Sequence, residues 1–235
     1  MAQAISPANI DNIPSIKISS PRDLEEYRQA LLAASDPNAP RIIVCCGTGC
    51  QATGSVEVVE ALEAAVKEAG WEGKVVPQIK KTGCHGFCSR GPLVIIEPQD
   101  LFYQRVKASD AADIVNLTLM KGEVIKKLQY KPADAKEPVA KAHDIPYYAK
   151  QTRIVLENIG KIDPFEIKDA LLHGSYRAMA KALTEMSPAQ VIEEVSISKL
   201  RGRGGGGFPT GLKWESCAKQ PGTRYVICNA DEGDP

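Results

Sequence analysis

The chain has 235 residues, of which 43% are hydrophobic, so it is long enough to bury a sizeable core and is expected to be globular. Its 29 basic and 29 acidic side chains cancel, which leaves no global field to favour nucleic acid or an anionic membrane surface. No secretion signal and no stretch of roughly 18 apolar residues is evident, so we expect a soluble, cytoplasmic protein without a membrane span. In that compartment the seven cysteines are expected to be free or metal-binding.

The first half of the chain has the pattern of a small α/β domain. Pro21 begins an amphipathic helix, and Pro37 and Pro40 end it. The β-branched run at 41–46 predicts a strand, and the apolar periodicity of 55–70 predicts a helix that ends at a glycine. Further strands are expected at 74–80, 93–97 and 102–106, followed by a helix at 111–120.

Two cysteine pairs in this half are the strongest chemical signal. Cys45 and Cys50 are separated by four residues after the first strand, and Cys84 and Cys88 by three residues between two strands. Four thiolates that a fold can bring together are the ligand set of an iron–sulfur cluster, which predicts an electron carrier. Adjacent glycines let backbone amides approach and donate to sulfur; they are Gly47, Gly49, Gly83, Gly86 and Gly91.

Alternatives to this ligand set stay open at the level of the sequence. Structural zinc sites more often pair cysteines as C-x2-C, and a thioredoxin redox pair needs C-x-x-C, which is absent here. Three residues separate Cys46 from Cys50, which is the spacing of the second pair, so Cys46 competes with Cys45. His85 could ligate one iron as in a Rieske centre, or it is a loop histidine that adjusts hydrogen bonds or is simply solvated.

The second half begins with a linker and short helices. Residues 131–149 contain prolines and mixed charges without sustained periodicity, which is typical of a linker. The Asp-Pro pair at 163–164 predicts the start of a helix that ends at Gly174. Two further helices are expected at 177–185 and 187–195, the second with a serine cap.

A glycine-rich loop before a lysine-bearing helix is the second chemical signal. Residues 202–207 match G-x-G-x-x-G, but the strand that a Rossmann motif needs does not precede them, and a flexible linker has the same composition. A helix start is predicted at 208–214, where amides and Lys213 suit a phosphate. An apolar strand at 224–228 then runs either into a ligand site or into a solvated acidic turn formed by Asn229, Asp231, Glu232 and Asp234.

The cysteine segments resemble a known iron–sulfur family. CCGTGCQATGS, followed by KTGCHGFCSRGPLVIIEP and LFYQRV, is similar to the thioredoxin-like [2Fe-2S] ferredoxin domain of complex I and its hydrogenase relatives. The resemblance covers roughly 41–130 and implies that a [2Fe-2S] cluster is bound by Cys45, Cys50, Cys84 and Cys88. The fold class it implies is α/β, with this domain followed by the truncated start of a complex I flavoprotein-type domain.

The glycine loop carries a second resemblance. LRGRGGGGFPTGLKW and YVICNADEGDP are similar to the flavin and nicotinamide core of the NADH-oxidising subunit of complex I and of the β subunits of NAD(P)-linked and electron-bifurcating hydrogenases and formate dehydrogenases. This resemblance implies FMN binding, NAD(H) or NADP(H) as the substrate, and Glu232 as the catalytic residue. Phe208, Glu232 and Asp234 would face the nicotinamide, although many complex I members have a second glutamate in place of Asp234. The implied cofactor-binding set is Gly202, Arg203, Gly204, Gly205, Gly206, Gly207, Phe208, Lys213, Asn229, Asp231, Glu232 and Asp234.

The two resemblances imply a domain order and a function. The predicted domains are an N-terminal extension and helix (1–40), the ferredoxin domain (41–130), a linker (131–149) and the first part of an FMN domain (150–235). The implied function is an NAD(P)H dehydrogenase subunit that exchanges hydride with NAD(P) and single electrons with iron–sulfur clusters. The expected partners are a hydrogenase or formate dehydrogenase catalytic subunit, a small [2Fe-2S] subunit and ferredoxin, in an electron-bifurcating complex. A [4Fe-4S] cluster is expected beyond residue 235, and this chain alone is expected to be inactive.

A non-catalytic [2Fe-2S] electron-transfer module is the alternative function, with a glycine-rich segment that only docks a partner. Flavin content discriminates the two. Cys217 and Cys228 are expected to be buried free thiols that serve neither function, and His143 and His173 to be surface or packing residues.

Overall fold

The structure is a computed structural model that describes residues 10–154 and 156–229. Its contacts divide the chain into two units, one formed by 1–17 and 25–175 and the other by 18–24 and 176–235. The first unit is built on a sheet, and the second on helices.

A four-stranded sheet forms the centre of the first unit. Its strands, in the spatial order β2-β1-β3-β4, are β1 (Arg41–Cys45), β2 (Gln78–Thr82), β3 (Val94–Glu97) and β4 (Leu101–Tyr103). β1 and β2 are parallel, whereas β3 is antiparallel to both β1 and β4. The carboxyl ends of β1 and β2 therefore lie side by side at one edge of the sheet.

The strands confirm most of the sequence predictions. The strands predicted at 41–46, 93–97 and 102–106 form within a few residues of those limits. The strand predicted at 74–80 instead begins at Gln78, because Pro77 has no N–H to donate to the ladder. Gln78 is the first residue that bonds across, and its N–H donates to the Pro40 carbonyl at 3.0 Å.

Helices precede and follow the strands of the first unit in chain order. The predicted helix at 163–174 begins later, at Ile167, because the Asp163 carboxylate accepts the Phe165 N–H (3.0 Å) in a turn.

Among the described residues no helix is long and apolar enough to cross a membrane. The helices are α1 (Pro21–Ala33), α2 (Thr48–Gln51), α3 (Ser55–Glu68), α4 (Ala111–Asp113, continued by a π-helical turn, Ile114–Leu119), α5 (Pro146–Ala149) and α6 (Ile167–Leu172), with short 3₁₀ turns at Ile10–Asn12, Cys88–Arg90, Ala108–Asp110, Lys126–Leu128 and Ala142–Asp144.

The two faces of the sheet bury different clusters. Ile42 and Val44 of β1 pack with α3 and α4 on one face, while Cys45 packs with Leu93 and Phe102 on the other. Successive side chains of a strand point to opposite faces. Accordingly, the neighbouring Cys46 returns to the α3 face, where it packs against the first cluster.

The segment predicted to be a linker packs on the first unit. The Phe102 N–H donates to the Ala140 carbonyl at 2.8 Å, and the Ala142 N–H donates to the Asp100 carbonyl at 2.9 Å. This segment lies within the first of the two contact-defined units, which ends at Ser175. The predicted domain limits (1–40, 41–130, 131–149 and 150–235) stay predictions.

The second unit consists of short helices around the glycine loop. α7 (Arg177–Glu185), α8 (Pro188–Ile197) and α9 (Thr210–Ala218) confirm the helices expected from the sequence. Ser187 caps α8, since its hydroxyl accepts the Gln190 N–H (3.4 Å) and the Gln190 side chain accepts the Ser187 N–H (2.8 Å). Gly211 lets α9 approach α8, because a Cβ there would lie 2.8 Å from the Ser196 Cα.

The strand predicted at 224–228 is wrong. These residues have no regular secondary structure, and Tyr225 and Ile227 are 78% and 89% exposed. A strand needs a neighbour for its backbone groups, and the described residues of the second unit provide no other strand. Consequently Cys228 is exposed, contrary to the expectation of a buried thiol, while Cys217 in α9 is half-buried.

Candidate functional site

The parallel pair of strands brings the two cysteine loops together. Cys45 ends β1 and pairs in register with Thr82, which ends β2. The ladder continues one step further, because the Cys46 N–H donates to the Thr82 carbonyl at 2.8 Å. The loop after β1 enters α2, which carries Cys50, and the loop after β2 carries the second pair.

The four predicted cluster ligands form one connected group of thiols. Cys84 Sγ lies 3.5 Å from Cys88 Sγ, and both Cys50 and Cys84 are near enough to Cys45 to lower the pKa of its thiol. Within the described residues, no three or more His, Cys, Asp or Glu side chains are placed so that together they could hold one metal ion. A two-iron cluster has two protein ligands on each iron, and two cysteine pairs match that requirement.

Glycines close to the sulfur atoms make room for this group. A Cβ at Gly47 would lie 2.5 Å from the Cys84 Cβ, and one at Gly91 would lie 2.6 Å from the Cys50 Sγ. A Cβ at Gly49 would lie 3.3 Å from the Cys88 Sγ. Each loop thus approaches the cysteines of its neighbour at distances that a side chain would prevent. This cradle and its all-thiol donor set fit a [2Fe-2S] cluster.

Backbone amides of both loops donate to the sulfur atoms. The Gly86 N–H donates to the Cys84 Sγ at 3.2 Å, and this glycine has a φ of +81°, which favours glycine. The amides of His85 and Gly47 lie near the Cys45 sulfur and lower the pKa of its thiol. Donors of this kind stabilise negative charge on sulfur, which is the property by which a protein sets a cluster's potential.

The thiols of the group differ in acidity. The hydrogen bond from Cys50, supported by the His85 and Gly47 amides and opposed by burial, lowers the pKa of Cys45 to about 6. The same bond and burial raise the pKa of Cys50, and burial is the main cause that raises the pKa of Cys84. These opposite shifts favour ionisation of Cys45 before Cys50, and the thiolate is the form that binds metal.

The side chains of Cys46 and His85, the two alternative ligands, do not face the group of four thiols. Cys46 packs against the α3 face, and burial raises its pKa. The His85 ring is buried, with Nε2 2.9 Å from the Thr82 hydroxyl, so the interpretation that it is solvated is wrong. A Cβ on Gly160 would lie 2.8 Å from the His85 Cε1, and burial lowers the pKa of the ring to about 4. The backbone amide of His85, not its ring, contacts the cysteines.

A segment that the sequence analysis missed lies over the second cysteine loop. The Tyr147 hydroxyl donates to the Gly86 carbonyl at 2.6 Å, and its ring stacks on Phe87 with centroids 4.5 Å apart. The Arg153 guanidinium donates to the His85 carbonyl at 3.2 Å. Paired tyrosines inside a polar segment were the available signal, because a solvated linker has no use for adjacent aromatic side chains.

The remaining histidines agree with the expectation of surface or packing roles. His143 is 64% exposed in its side chain and pairs with Asp100 and Asp144. His173 is partly buried, and its ring contacts the Asp169 carbonyl at 2.9 Å.

The glycine loop of the second unit is closed at its base and open at its tip. The Gly202 N–H donates to the Phe208 carbonyl at 2.9 Å, and the Thr210 N–H donates to the Leu200 carbonyl at 2.9 Å. Gly205 and Gly207 have φ values of +87° and +57°. A Cβ at any position from 204 to 207 would meet nothing within 4 Å. Uncovered amides in such a loop, beside the start of α9, fit an anionic phosphate.

The predicted flavin residues fall into a described and an undescribed part. Arg203, Lys213 and Asn229 are exposed, and Phe208 is 53% exposed beside the loop. The loop and Lys213 form one continuous segment, since α9 begins at Thr210. Asp231, Glu232 and Asp234, including the predicted catalytic residue, lie outside the described residues.

Two family models match the chain in the order that the motifs indicate. Residues 32–118 match the thioredoxin-like [2Fe-2S] ferredoxin family, and residues 195–235 match the Nuo51 FMN-binding domain. Both resemblances inferred from the motifs are confirmed. So is the α/β fold class, with a thioredoxin-like [2Fe-2S] domain followed by part of a complex I flavoprotein-type domain.

Curated proteins that the chain resembles are named as subunits of redox enzymes. The chain is 51% identical over 87 residues to the HndC subunit of the NADP-reducing hydrogenase of Solidesulfovibrio fructosivorans, covering 37% of this chain and 18% of that protein. It is 48% identical over 89 residues to a subunit of the NADH-quinone oxidoreductase of Aquifex aeolicus, covering 37% and 21%. It is 31% identical over 202 residues to the alpha subunit of the NAD-reducing hydrogenase HoxS of Cupriavidus necator, covering 83% and 30%. The chain thus spans between 18% and 30% of these relatives.

Proposed function

We propose that the chain belongs to an FMN-dependent oxidoreductase subunit that oxidises NAD(P)H or reduces NAD(P). The observation that carries this proposal is the group of four thiols in a glycine cradle, on the same polypeptide as a segment that matches an FMN-binding family. Subunits of NAD- and NADP-reducing hydrogenases among the relatives support the same function.

The first centre is a [2Fe-2S] cluster held by Cys45, Cys50, Cys84 and Cys88. The close contacts across Gly47 and at Cys50 support this ligand set, as does the low pKa of Cys45. The chain's own role at this centre is to present thiolates and to donate amide hydrogen bonds to them.

The second centre is an FMN site on the glycine loop. The loop amides and Lys213 would hold the phosphate, with Arg203 adding positive charge beside it. Phe208 would lie beside the ring system, and Asn229 and Asp231 would bond its polar edge. Glu232 and Asp234 would orient the nicotinamide end of NAD(H) or NADP(H). A bound FMN supplies hydride acceptance and release of single electrons, and a bound [2Fe-2S] cluster carries one electron at a time.

The partners in this proposal are the catalytic subunit of a hydrogenase or formate dehydrogenase, a small [2Fe-2S] subunit and ferredoxin. The relatives in multi-subunit hydrogenases support the first of these. We assign the complex to the cytoplasm, because free thiols such as Cys217 and Cys228 persist in a reducing compartment. Electron bifurcation and a [4Fe-4S] cluster belong to the same proposal.

A non-catalytic [2Fe-2S] module is the second candidate. The open glycine loop favours it to the extent that such a loop, with an exposed Phe208 beside it, also suits a docking contact. Iron, acid-labile sulfide and FMN content of the natural protein, purified without oxygen, separate the candidates. We expect all three, with visible absorbance that NADH or NADPH bleaches. Iron and sulfide without FMN would support the non-catalytic electron-transfer module. Absence of iron and sulfide would refute the iron–sulfur assignment.

A further inference from the structure

Arg153 contacts the peptide group that donates a hydrogen bond to one of the proposed cluster ligands. Its Nη2 donates to the carbonyl oxygen of His85 at 3.2 Å. The N–H on the other side of that same peptide bond is that of Gly86, and it donates to the Cys84 Sγ at 3.2 Å. One peptide group therefore links a guanidinium to a ligand sulfur.

The contacts around Arg153 hold the guanidinium in this position. Its Cζ lies 5.4 Å from the centroid of the Tyr148 ring, and its Nε donates to the Gln151 side chain at 3.4 Å. Tyr148 is itself held in the aromatic group, with its ring edge-on to Phe87 and Phe102 at 5.9 Å. Arg153 is partly buried, so its charge is screened less than that of a fully exposed side chain.

A charged donor at a carbonyl oxygen strengthens the N–H of the same peptide as a donor, because hydrogen bonds in a chain polarise one another. Stronger donation to a ligand sulfur stabilises the reduced form of an iron–sulfur centre, because that form carries more negative charge. A nearby positive charge has the same effect. When the centre takes up one electron from a reductant, no bond forms or breaks and the added negative charge lies on iron and sulfur. The Arg153 guanidinium stabilises that added negative charge through its hydrogen bond to the His85 carbonyl.

We infer that Arg153 is a positioning residue that raises the reduction potential of the [2Fe-2S] centre through the His85–Gly86 peptide. The inference rests on the proposed function, since it requires that the four cysteines hold a cluster. It adds to that function a residue outside both cysteine motifs, 68 positions from its bonding partner.

The test is an EPR-monitored redox titration, with dithionite as reductant, of the whole chain carrying its cluster. Arg153→Met removes the charge and the donors but keeps an apolar stem over Tyr148, while Arg153→Lys keeps the charge and one donor. Lys150→Met is the matched control, because it removes an exposed positive charge three residues away. Iron and sulfide content are measured for every variant.

We expect the midpoint potential of R153M to shift to a more negative value, that of R153K to lie between R153M and the wild type, and that of K150M to shift least. An unchanged potential in R153M at full cluster content would overturn the inference, and so would an equal shift in K150M. Loss of the cluster from both R153M and R153K would also overturn it, because Arg153 would then be needed for assembly and not for tuning. A wild-type chain that binds no iron and sulfide would instead refute the proposed function itself.

Discussion

Glycine has opposite uses in the two functional segments. Around the cysteines, glycine hydrogens occupy places where a Cβ would lie 2.5 to 2.6 Å from a neighbouring cysteine atom, as at Gly47 and Gly91. In the loop from 204 to 207, a Cβ would meet nothing within 4 Å. The first set allows two pieces of this chain to touch, and the second leaves backbone amides uncovered.

The contrast teaches that a glycine-rich motif has to be interpreted by what surrounds it. Where a side chain would collide, the glycine is needed for packing and for the convergence of ligands. Where space is open and φ is positive, as at Gly205, the glycine sets the course of a loop whose surface is free for an anion. Substitutions in the two segments should therefore fail in different ways.

The largest effect is expected from the ligand sulfur at the centre of the first segment. Cys45→Ser should abolish stoichiometric iron and sulfide binding, because Cys45 contacts both Cys50 and Cys84. Cys46→Ser is the matched control and should keep the cluster, since that side chain packs on the α3 face. Iron and sulfide analysis with the visible spectrum measures both variants. A cluster that survives in C45S but not in C46S would reverse the assignment.

The next effect tests the packing role directly. Gly47→Ala should lower the free energy of unfolding by about 1–3 kcal/mol, because the new methyl group overpacks against Cys84. It should also lower iron content. Gly204→Ala has open space and should change stability by less than about 0.5 kcal/mol. Urea unfolding of each variant measures the free energy of unfolding. Equal losses at the two positions would contradict the conclusion that glycine is needed for packing at Gly47 but not at Gly204.

A smaller effect is expected inside the open loop. Gly205→Ala forces a residue with a Cβ to a φ of +87°, which costs about 1–2 kcal/mol of local strain. We expect weaker FMN binding by the natural protein, with iron and sulfide content unchanged. Gly222→Ala, which places a Cβ at a φ of +82° outside the glycine loop, serves as the control, and FMN fluorescence quenching during titration reports the affinity. Loss of iron from G205A with normal FMN affinity would argue against separate roles for the two segments.

The smallest effect concerns the segment over the second cysteine loop. Tyr147→Phe keeps the ring stacked on Phe87 but removes the hydroxyl that donates to Gly86, so we expect a loss of about 0.5–1.5 kcal/mol in unfolding free energy. Tyr225→Phe is the control, because that side chain is 78% exposed. Denaturant midpoints at equal m-value decide the comparison, and a Y147F chain as stable as the wild type would show that the contact contributes nothing.

Local pattern was enough to predict several elements. The β-branched run before Cys45 predicted β1, the apolar periodicity after Ser55 predicted α3, and Ser187 with Gln190 formed the capping pair of α8. Each of these depends on residues within a few positions of one another. The strand predicted at 224–228 failed because an apolar β-branched run specifies a strand only where a partner strand exists.

The sequence by itself determined the chemistry of the chain: two spaced cysteine pairs among glycines, and a glycine loop followed by Lys213. Only the tertiary structure decided which of two adjacent cysteines faces the others, because strand alternation sends Cys45 and Cys46 to opposite sides. It alone brought Tyr147 and Arg153 onto the second cysteine loop, across separations of 61 and 68 residues. Contacts of that range depend on how elements pack, and no local periodicity records them.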